Sequence, residues 1–528
     1  MSEYVNMSVT GNSPEALNVQ QKLSSALGLL GVSIMVLSGF DIQFQPKIVW
    51  VSLSLIMVFA GIFWYSKVSY GHMTEGIKND RVYFKSLTNR GFWAYILGLV
   101  LTGFYIVLYF YPSWIGLSSD GENTGVVALF DPLSKAISGN AASQWFVYGT
   151  LYTLAIVGFG VKFLWKYRHN RYQRLRTFSV MFFQLGFAFL IPELMSRLNG
   201  DDFSLPYYNF VNIWPLNYYN FEQYRVDQYI NAGNVGIGLL IFGVLSILII
   251  TPILTYKYGK RWYCSWVCGC GGLAETAGDS FRHLSDKSQS SWKLERWLVH
   301  TVVVFVVIMT TAVVYSYLNT DKYWLSGTAF LISVASLLTM IFTWTMLYKR
   351  EELQNDAKYA AIGFFVVILS LLGLHFSGLI DKVFLFEAET LRSTYGFVIG
   401  AIFSGVVGVG FYPIFGNRVW CRFGCPMAAI LGFQQRLFSK FRITTNGGQC
   451  ISCGNCTAYC EMGIDVRAYA QKGENIVRSS CVGCGICASV CPRGVLKLEN
   501  DTPVGRINSK EILLGNDVDL MDLVNHNK

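Results

Sequence analysis

Cysteine is the residue type whose number and spacing carry the most chemistry in this sequence of 528 residues. There are thirteen cysteines, none of them before Cys264, and they fall into four clusters. The last eight form two runs with the pattern C-x2-C-x2-C-x3-C. One run is Cys450, Cys453, Cys456 and Cys460, and the other is Cys481, Cys484, Cys487 and Cys491. Thiolates at such short spacings hold iron–sulfur clusters or zinc ions.

The two runs have the spacing of bacterial two-cluster ferredoxins, in which the fourth cysteine of each run ligates the other cluster. Two [4Fe–4S] clusters are therefore predicted. The ligand sets are Cys450, Cys453, Cys456 and Cys491 for the first cluster, and Cys481, Cys484, Cys487 and Cys460 for the second. Zinc is the alternative, but the matched Gly454 and Gly485 and the Pro492 after the last cysteine favour iron–sulfur chemistry. Glu461 stands where proline is usual, and we expect it to loosen the turn beside Cys460.

Four further cysteines belong to a motif that occurs twice. The copies are Gly259–Cys268, GKRWYCSWVC, and Gly416–Cys425, GNRVWCRFGC. Aligned, they share the glycine, an arginine, an aromatic residue before the first cysteine, another two residues after it, and both cysteines. An internal duplication of a helical unit is the simplest explanation.

Cysteines at positions i and i+4 lie on one face of a helix, so we expect the two copies to offer four thiolates to one metal centre. The proposed ligands are Cys264, Cys268, Cys421 and Cys425. Redox dithiols and packing thiols are the alternatives. Positive side chains stabilise thiolates, and both copies carry them: Lys260, Arg261, Arg418 and Arg422. Cys270 has no counterpart in the second copy and would be a spare ligand.

The elements that position these cysteines are membrane helices. Hydrophobic residues make up 52% of the chain and charged residues 14%, which excludes a soluble enzyme, a disordered chain and a disulfide-rich module. A helix needs about 20 apolar residues to cross a bilayer, and ten such runs occur. They cover approximately 23–41, 48–66, 92–112, 144–165, 177–196, 233–255, 297–318, 326–347, 358–377 and 394–414. The predicted fold is an all-α polytopic membrane protein with a C-terminal α+β two-cluster ferredoxin-like domain.

Four regions follow from this pattern. They are an N-terminal membrane region of five helices (1–232), a second membrane region of five helices with both cysteine motifs (233–440), the ferredoxin domain (441–500) and a C-terminal tail (501–528). Lys and Arg are concentrated in alternate loops, most densely at 162–176. The positive-inside rule then places both termini and every cysteine cluster on the cytoplasmic side of a bacterial inner membrane.

The segments WYCSWVCGCGGLAETAGD and VWCRFGCPMAAILGF, followed by the ferredoxin runs, resemble the NosR/NapH family of membrane polyferredoxins. The resemblance covers roughly residues 233–500. It implies electron transfer between the quinone pool, or a cytoplasmic donor, and a redox partner across the membrane. Proteins of the CcoG type, which reduce copper during oxidase assembly, are more distant relatives. The first motif departs from the family pattern because Gly269, not proline, follows its second cysteine.

The predicted function is electron transfer between cytoplasmic-side iron–sulfur clusters and a quinone or a membrane or extracytoplasmic redox partner. The alternative is copper reduction or assembly of a respiratory enzyme, because soft thiolates bind Cu(I). Redox subunits of a membrane complex are the expected partners, and nucleic acid is not, since the positive charge reflects topology. Whether the protein is itself an oxidoreductase subunit stays open, as do its donor and acceptor.

Three further expectations concern residues outside the cysteine motifs. Glu275 is expected to be a solvated or helix-capping acid. The aromatic loop 196–232 is expected to form an interfacial belt or to dock an extracytoplasmic partner. His300 and His375 are expected at opposite ends of the helix bundle, too far apart to share a haem.

Overall fold

Ten membrane-spanning helices dominate the computed structural model of the protein. The structure describes residues 17–42, 44–73, 80, 82–118, 122–199, 204–318 and 322–500, together with two short strands in the tail. Within this part of the chain, ten helices are long and apolar enough to cross a bilayer, as predicted. These spans are Val19–Gly39, Lys47–Tyr70, Phe92–Phe110, Gln144–Lys166, Arg171–Leu198, Gly233–Tyr258, Gln289–Leu318, Gly327–Tyr348, Asn355–Phe376 and Ala388–Val407.

The span boundaries differ from the prediction where polar residues extend a helix or glycines end one. The seventh span begins at Gln289, because a helix can continue through polar residues beyond the lipid. The tenth span ends at Val407 rather than at residue 414; Gly408 and Gly410 follow it, and a separate short helix begins at Tyr412.

Shorter helices connect the spans and build the ferredoxin lobe. They are Pro112–Ile115, Gly125–Ser138, Tyr218–Phe221, Gln223–Asn231, Arg261–Cys264, Gly269–Thr276, Ala277–Leu284, Arg350–Glu352, Tyr412–Phe415, Trp420–Gly424, Pro426–Phe438, Gly447–Gln449, Asn455–Ala458, Val466–Lys472 and Ile486–Ser489. Most of the short helices after residue 258 carry or flank a cysteine motif. The cysteines therefore gather at one end of the helix bundle. We call this end the cluster end.

The ferredoxin lobe contains a small antiparallel sheet, as the α+β prediction requires. Strand β1 (Arg442–Thr445) pairs with β2 (Leu496–Glu499), and Ile443 lies opposite Leu498. The strands therefore join the two ends of the lobe and hold both cysteine runs between them. In the tail, β3 (Leu513–Leu514) pairs with β4 (Val518–Asp519); the rest of 501–528 lies outside the described residues.

Part of the aromatic loop between the fifth and sixth spans enters the helix bundle, which neither expectation for residues 196–232 included. Tyr208 and Val211 are only 2% and 1% exposed. The indole of Trp214 donates to the Thr310 hydroxyl of the seventh span at 3.0 Å. The Tyr263 hydroxyl, inside the first cysteine motif, donates to the Val211 carbonyl at 2.7 Å. The loop thus reaches the cysteine motif from the opposite end of the bundle, because its tyrosines and tryptophan find hydrogen-bond partners there.

Small residues let the first two spans pack closely. The Ser54 hydroxyl donates to the Gly31 carbonyl at 2.6 Å. A Cβ placed on Gly61 would lie 2.8 Å from the Cα of Gly28. Close approach through small residues is the usual way in which helices associate in lipid, where the hydrophobic effect does not drive them together.

We predict that Gly61→Leu destabilises this helix pair by about 1–3 kcal/mol, the usual cost of overpacking. Gly103→Leu is the matched control, because a Cβ on Gly103 in the third span meets nothing within 4 Å. Thermal unfolding in detergent should show a lower midpoint for the Gly61 variant and little change for the control. Equal midpoints would contradict the close packing described above.

Candidate iron–sulfur sites

The two copies of the cysteine motif fold alike, which supports their origin by duplication. In the first copy the Cys268 N–H donates to the Tyr263 carbonyl at 2.8 Å, and in the second the Cys425 N–H donates to the Trp420 carbonyl at 2.9 Å. Each bond spans five residues and tightens the chain between the two cysteines. Each copy also starts at a glycine with positive φ, +67° at Gly259 and +94° at Gly416. Glycine adopts this conformation without strain.

The prediction that each cysteine pair lies on one helical face is wrong. Cys264 ends the helix Arg261–Cys264, whereas Cys268 has an extended backbone and caps the next helix, Gly269–Thr276. Cys425 likewise caps Pro426–Phe438, and its Sγ accepts from the Ala428 N–H at 3.4 Å. Proline disfavours helical backbone in the preceding residue, so Pro426 requires this break in the second copy. In the first copy, the turn closed by the bond from the Cys268 N–H to the Tyr263 carbonyl interrupts the helix at the same point.

The four motif cysteines nevertheless come together in one buried group with the lobe cysteines. The members from the motifs are Cys264, Cys268, Cys421 and Cys425, none more than 9% exposed. Burial raises the pKa of the Cys264 thiol to about 12, against the positive charge of Lys260. At Cys268 the effect is opposite, because the Cys270 thiol and the N–H groups of Cys270 and Gly271 donate to its sulfur and lower its pKa to about 7. The site therefore already stabilises one thiolate at the start of a helix.

The four motif thiols lie close enough for their charges to interact. The charges of Cys264, Cys268 and Cys421 all act on the Cys425 thiol. Among the described residues, three potential ligand atoms within 4.8 Å of one another are found at Glu275, Glu461 and Cys484.

The structure brings the ferredoxin cysteines together in two groups. Four of them line one pocket of the lobe: Cys450, Cys453, Cys456 and Cys491. Among these Cys453 is exposed and Cys456 is buried. Cys460 of the first run lies close enough to the second set for its charge to act on both Cys481 and Cys487. The fourth cysteine of each run therefore crosses to the other set.

A network of buried ion pairs joins the ferredoxin lobe to both membrane regions. Its members are almost completely shielded from solvent, and seven contacts connect them. The pairs are Lys166–Asp80 (3.0 Å), Lys166–Asp279 (2.7 Å), Arg282–Asp279 (3.0 Å), Arg282–Glu461 (2.7 Å), Arg418–Glu461 (2.9 Å), Arg418–Glu275 (2.5 Å) and Arg176–Glu275. Four cations and four carboxylates balance, which offsets the cost of burying each charge.

Arg418 is the centre of this network and also touches the second cysteine motif. One guanidinium nitrogen donates to the Cys421 sulfur at 3.5 Å and to the Cys264 carbonyl at 3.4 Å. The other guanidinium nitrogen forms ion pairs with the carboxylates of Glu275 and Glu461. Oxygen atoms of those two carboxylates lie within 4.8 Å of the Cys484 sulfur. One arginine and two carboxylates therefore separate a motif cysteine from a ferredoxin cysteine.

Two acids in the network overturn expectations from the sequence. Glu275 is buried between Arg176 and Arg418, not solvated or capping a helix end. Glu461 does not loosen the turn beside Cys460. Burial alone would raise the pKa of Glu461, but Arg282 and Arg418 hold it at about 2. The sequence did contain a signal of this pairing, since an acid stands where proline is usual. A buried acid needs a cationic partner.

The N-terminal membrane region contributes directly to the site, which its sequence did not reveal. Tyr172 donates to the Gly483 carbonyl at 2.8 Å, and the Gln173 side chain donates to the Cys484 carbonyl at 2.9 Å. Lys166 and Arg176 belong to the ion-pair network. The basic loop 162–176, interpreted from sequence only as a topology signal, therefore binds the backbone of the second cysteine run.

The two histidines considered for haem ligation are far apart. His300 bonds the Arg296 carbonyl through Nδ1 at 2.6 Å, near the start of the seventh span. His375 bonds the Tyr315 hydroxyl through Nε2 at 3.0 Å. Tyr315 lies about 22 Å further along the seventh span than His300, at 1.5 Å per residue. The two histidines cannot ligate the same haem.

Comparison with known families agrees with the cysteine geometry. Residues 449–496 match the family model described as 4Fe-4S dicluster domain. Residues 240–288 and 395–444, which contain the two copies of the cysteine motif, each match the model described as 4Fe-4S binding domain. The chain carries 4Fe–4S binding domains. These matches support a role in iron–sulfur electron transfer.

One curated relative resembles a short part of the chain. A protein of Escherichia coli (strain K12) named "Putative electron transport protein YccM" is 40% identical over 53 residues. The matched part is 10% of this chain and 15% of the relative. No solved structure matches the chain.

We predict that Glu461→Gln destabilises the fold by about 3–5 kcal/mol, because it removes one of the four buried carboxylates and leaves four buried cations facing three. The expected result is a lower thermal midpoint and loss of iron from the lobe. Glu389→Gln is the control, since Glu389 pairs with Arg392 at the exposed surface (2.9 Å) and such pairs contribute about 0–1 kcal/mol. Equal stability of the two variants would show that the network is not a major source of stability.

Proposed function

We propose that the protein transfers electrons between iron–sulfur clusters at the cluster end, on the cytoplasmic side, and a quinone or redox partner in or across the membrane. The observation that carries this proposal is the contact series from Cys421 through Arg418 and the Glu275 and Glu461 carboxylates to Cys484, with no step longer than 4.8 Å. The series links a membrane-edge cysteine to a ferredoxin cysteine inside the protein.

The ferredoxin lobe would hold two [4Fe–4S] clusters, with the ligand sets expected from the spacing of the runs. Each cluster supplies a one-electron redox centre when bound. The first ligand set includes the exposed Cys453. The second set faces the membrane regions, since Gln173 and Ser265 bond the carbonyls of Cys484 and Val482. The lobe therefore has a solvent side and a membrane side.

The motif cysteines Cys264, Cys268, Cys421 and Cys425 would hold a third iron–sulfur centre between the two copies. Their burial in one group and the match of both copies to a 4Fe-4S binding domain support this assignment. Arg418 donates to the Cys421 sulfur, and such hydrogen bonds tune the potential of a sulfur-ligated centre. The same match favours an iron–sulfur centre over the copper alternative.

The aromatic loop supports transfer towards the opposite side of the membrane. It brings the Val211 carbonyl into contact with Tyr263, beside the motif cysteines. The loop therefore links the far side of the bundle to the first cysteine motif. The Lys and Arg content of the loops supports a cytoplasmic cluster end, and the resemblance to the NosR/NapH family supports a quinone or a respiratory partner.

We predict that the Cys425→Ser variant loses about four iron atoms per chain. It should keep the iron of the two ferredoxin sites, about eight atoms. Iron analysis measures the loss, and EPR should still show the two lobe signals. In lipid vesicles the reduced variant should no longer be reoxidised by a water-insoluble quinone, whereas the wild-type protein should be.

Cys270→Ser is the companion variant for this experiment. Cys270 has no counterpart in the second copy of the motif, so we expect its replacement to keep the iron content. If the Cys425→Ser variant keeps all its iron and is reoxidised by the quinone as fast as the wild type, the motif cysteines are packing residues. The proposal of a third iron–sulfur centre is then wrong.

We also predict that Arg418→Gln lowers the midpoint potentials of the neighbouring centres. A unit charge about 4 Å away interacts by about 4 kcal/mol at an effective dielectric constant of 20, so the fall should be on the order of 100 mV. Arg418→Lys retains the charge and should shift the potentials less. Spectroelectrochemical titration distinguishes the two variants, and identical potentials in both would rule out an electrostatic role for Arg418.

A further inference from the structure

The exposed cysteine of the ferredoxin lobe lies at the centre of a surface with unusual composition. Residues around it are exposed and line the same pocket as the first ligand set. We call this the Cys453 surface, and it consists of Ile451, Ser452, Cys453, Arg467, Pro492 and Arg493. We propose that this surface docks a small soluble redox protein with an acidic surface. The inference rests on the proposed electron-transfer function and identifies the partner on its solvent side.

The centre of the Cys453 surface is apolar and conformationally fixed. Ile451 is 56% exposed, and Pro492 is exposed beside it. Ser452 has a positive φ of +58°, a strained conformation for a residue with a side chain. The Gln471 amide holds it in place by donating to the Ser452 hydroxyl at 2.8 Å. A fixed apolar centre with a polar rim is the usual composition of a protein-binding surface.

The rim of the Cys453 surface is cationic and unpaired. Within the described part of the chain, the guanidinium groups of Arg467 and Arg493 form no hydrogen bond and no ion pair. Lys472 is exposed on the same helix as Arg467. Asp465, two residues before Arg467, is engaged as the cap of that helix and accepts from Thr457 at 2.8 Å. The positive charge is therefore available to an incoming partner, and complementary charge raises association rates.

The rest of the lobe leaves a soluble partner few other approaches to a cysteine site. Tyr172, Gln173 and Ser265 cover the backbone of the second run by bonding its carbonyl groups. The cysteines Cys481 and Cys487 are buried. A soluble carrier that exchanges electrons with the lobe would thus meet it at Cys453, where both the exposed sulfur and the cationic rim are present.

The test compares two soluble probes of opposite charge on the full-length protein in detergent. The probes are a plant-type [2Fe–2S] ferredoxin, which is acidic, and horse-heart cytochrome c, which is basic. The variant Arg467→Glu/Arg493→Glu reverses the rim charge, and Lys293→Glu makes the same kind of change at an exposed cation outside the surface. Equilibrium binding and the second-order rate of electron exchange are both measured at low and high salt.

We expect the double variant to bind the acidic probe at least about tenfold more weakly and to exchange electrons with it correspondingly more slowly, while its rate with cytochrome c rises. Lys293→Glu should match the wild type, and Arg467→Lys/Arg493→Lys should retain binding. Unchanged iron content and EPR signals would show that the lobe is intact.

Equal binding of the acidic probe to the wild type and to the double variant would overturn the proposal. The proposal would also be overturned if the acidic probe bound only after residues 511–528 were deleted. The acidic tail would then be the natural occupant of the surface. A failure of the electron-transfer proposal itself has a different signature: the Cys425→Ser and wild-type proteins would behave alike with a quinone, whatever happens at the Cys453 surface.

Discussion

The placement of one buried guanidinium group governs the arrangement of the cysteine sites. Arg418 follows a membrane span and belongs to the second cysteine motif. Its hydrogen bonds reach both motifs, and its ion pair with Glu461 reaches the ferredoxin lobe. A guanidinium group can satisfy several acceptors in one plane, which an ammonium group cannot do. Because Arg418 is buried, each acceptor must stay in place, since an unpaired buried charge is costly.

The same constraint explains why the N-terminal membrane region is part of the site. Arg176 and Lys166 are needed to balance the carboxylates on the other side of the network. Their loop also binds the backbone of the second cysteine run through Tyr172 and Gln173. The fourth and fifth spans, which carry no cysteine, thus help to hold the lobe against the helix bundle.

Local patterns allowed much of this arrangement to be predicted. The ten spans depend on hydrophobic length alone, and the crossing of the fourth ferredoxin cysteines depends on short spacings. The ion pairs were beyond prediction because partners such as Arg282 and Glu461 are distant in sequence and share no local pattern. The buried contacts of the aromatic loop were not predicted for another reason: tyrosine and tryptophan suit both a membrane interface and a buried site with hydrogen-bond partners. Composition cannot separate these two environments.

The contact between Tyr263 and the Val211 carbonyl has a mechanical consequence. The aromatic loop enters from one side of the bundle, the cysteine motifs lie at the other, and Tyr263 directly precedes Cys264. A displacement of the loop segment around Val211 would therefore be transmitted through this hydrogen bond to the residue next to a motif cysteine.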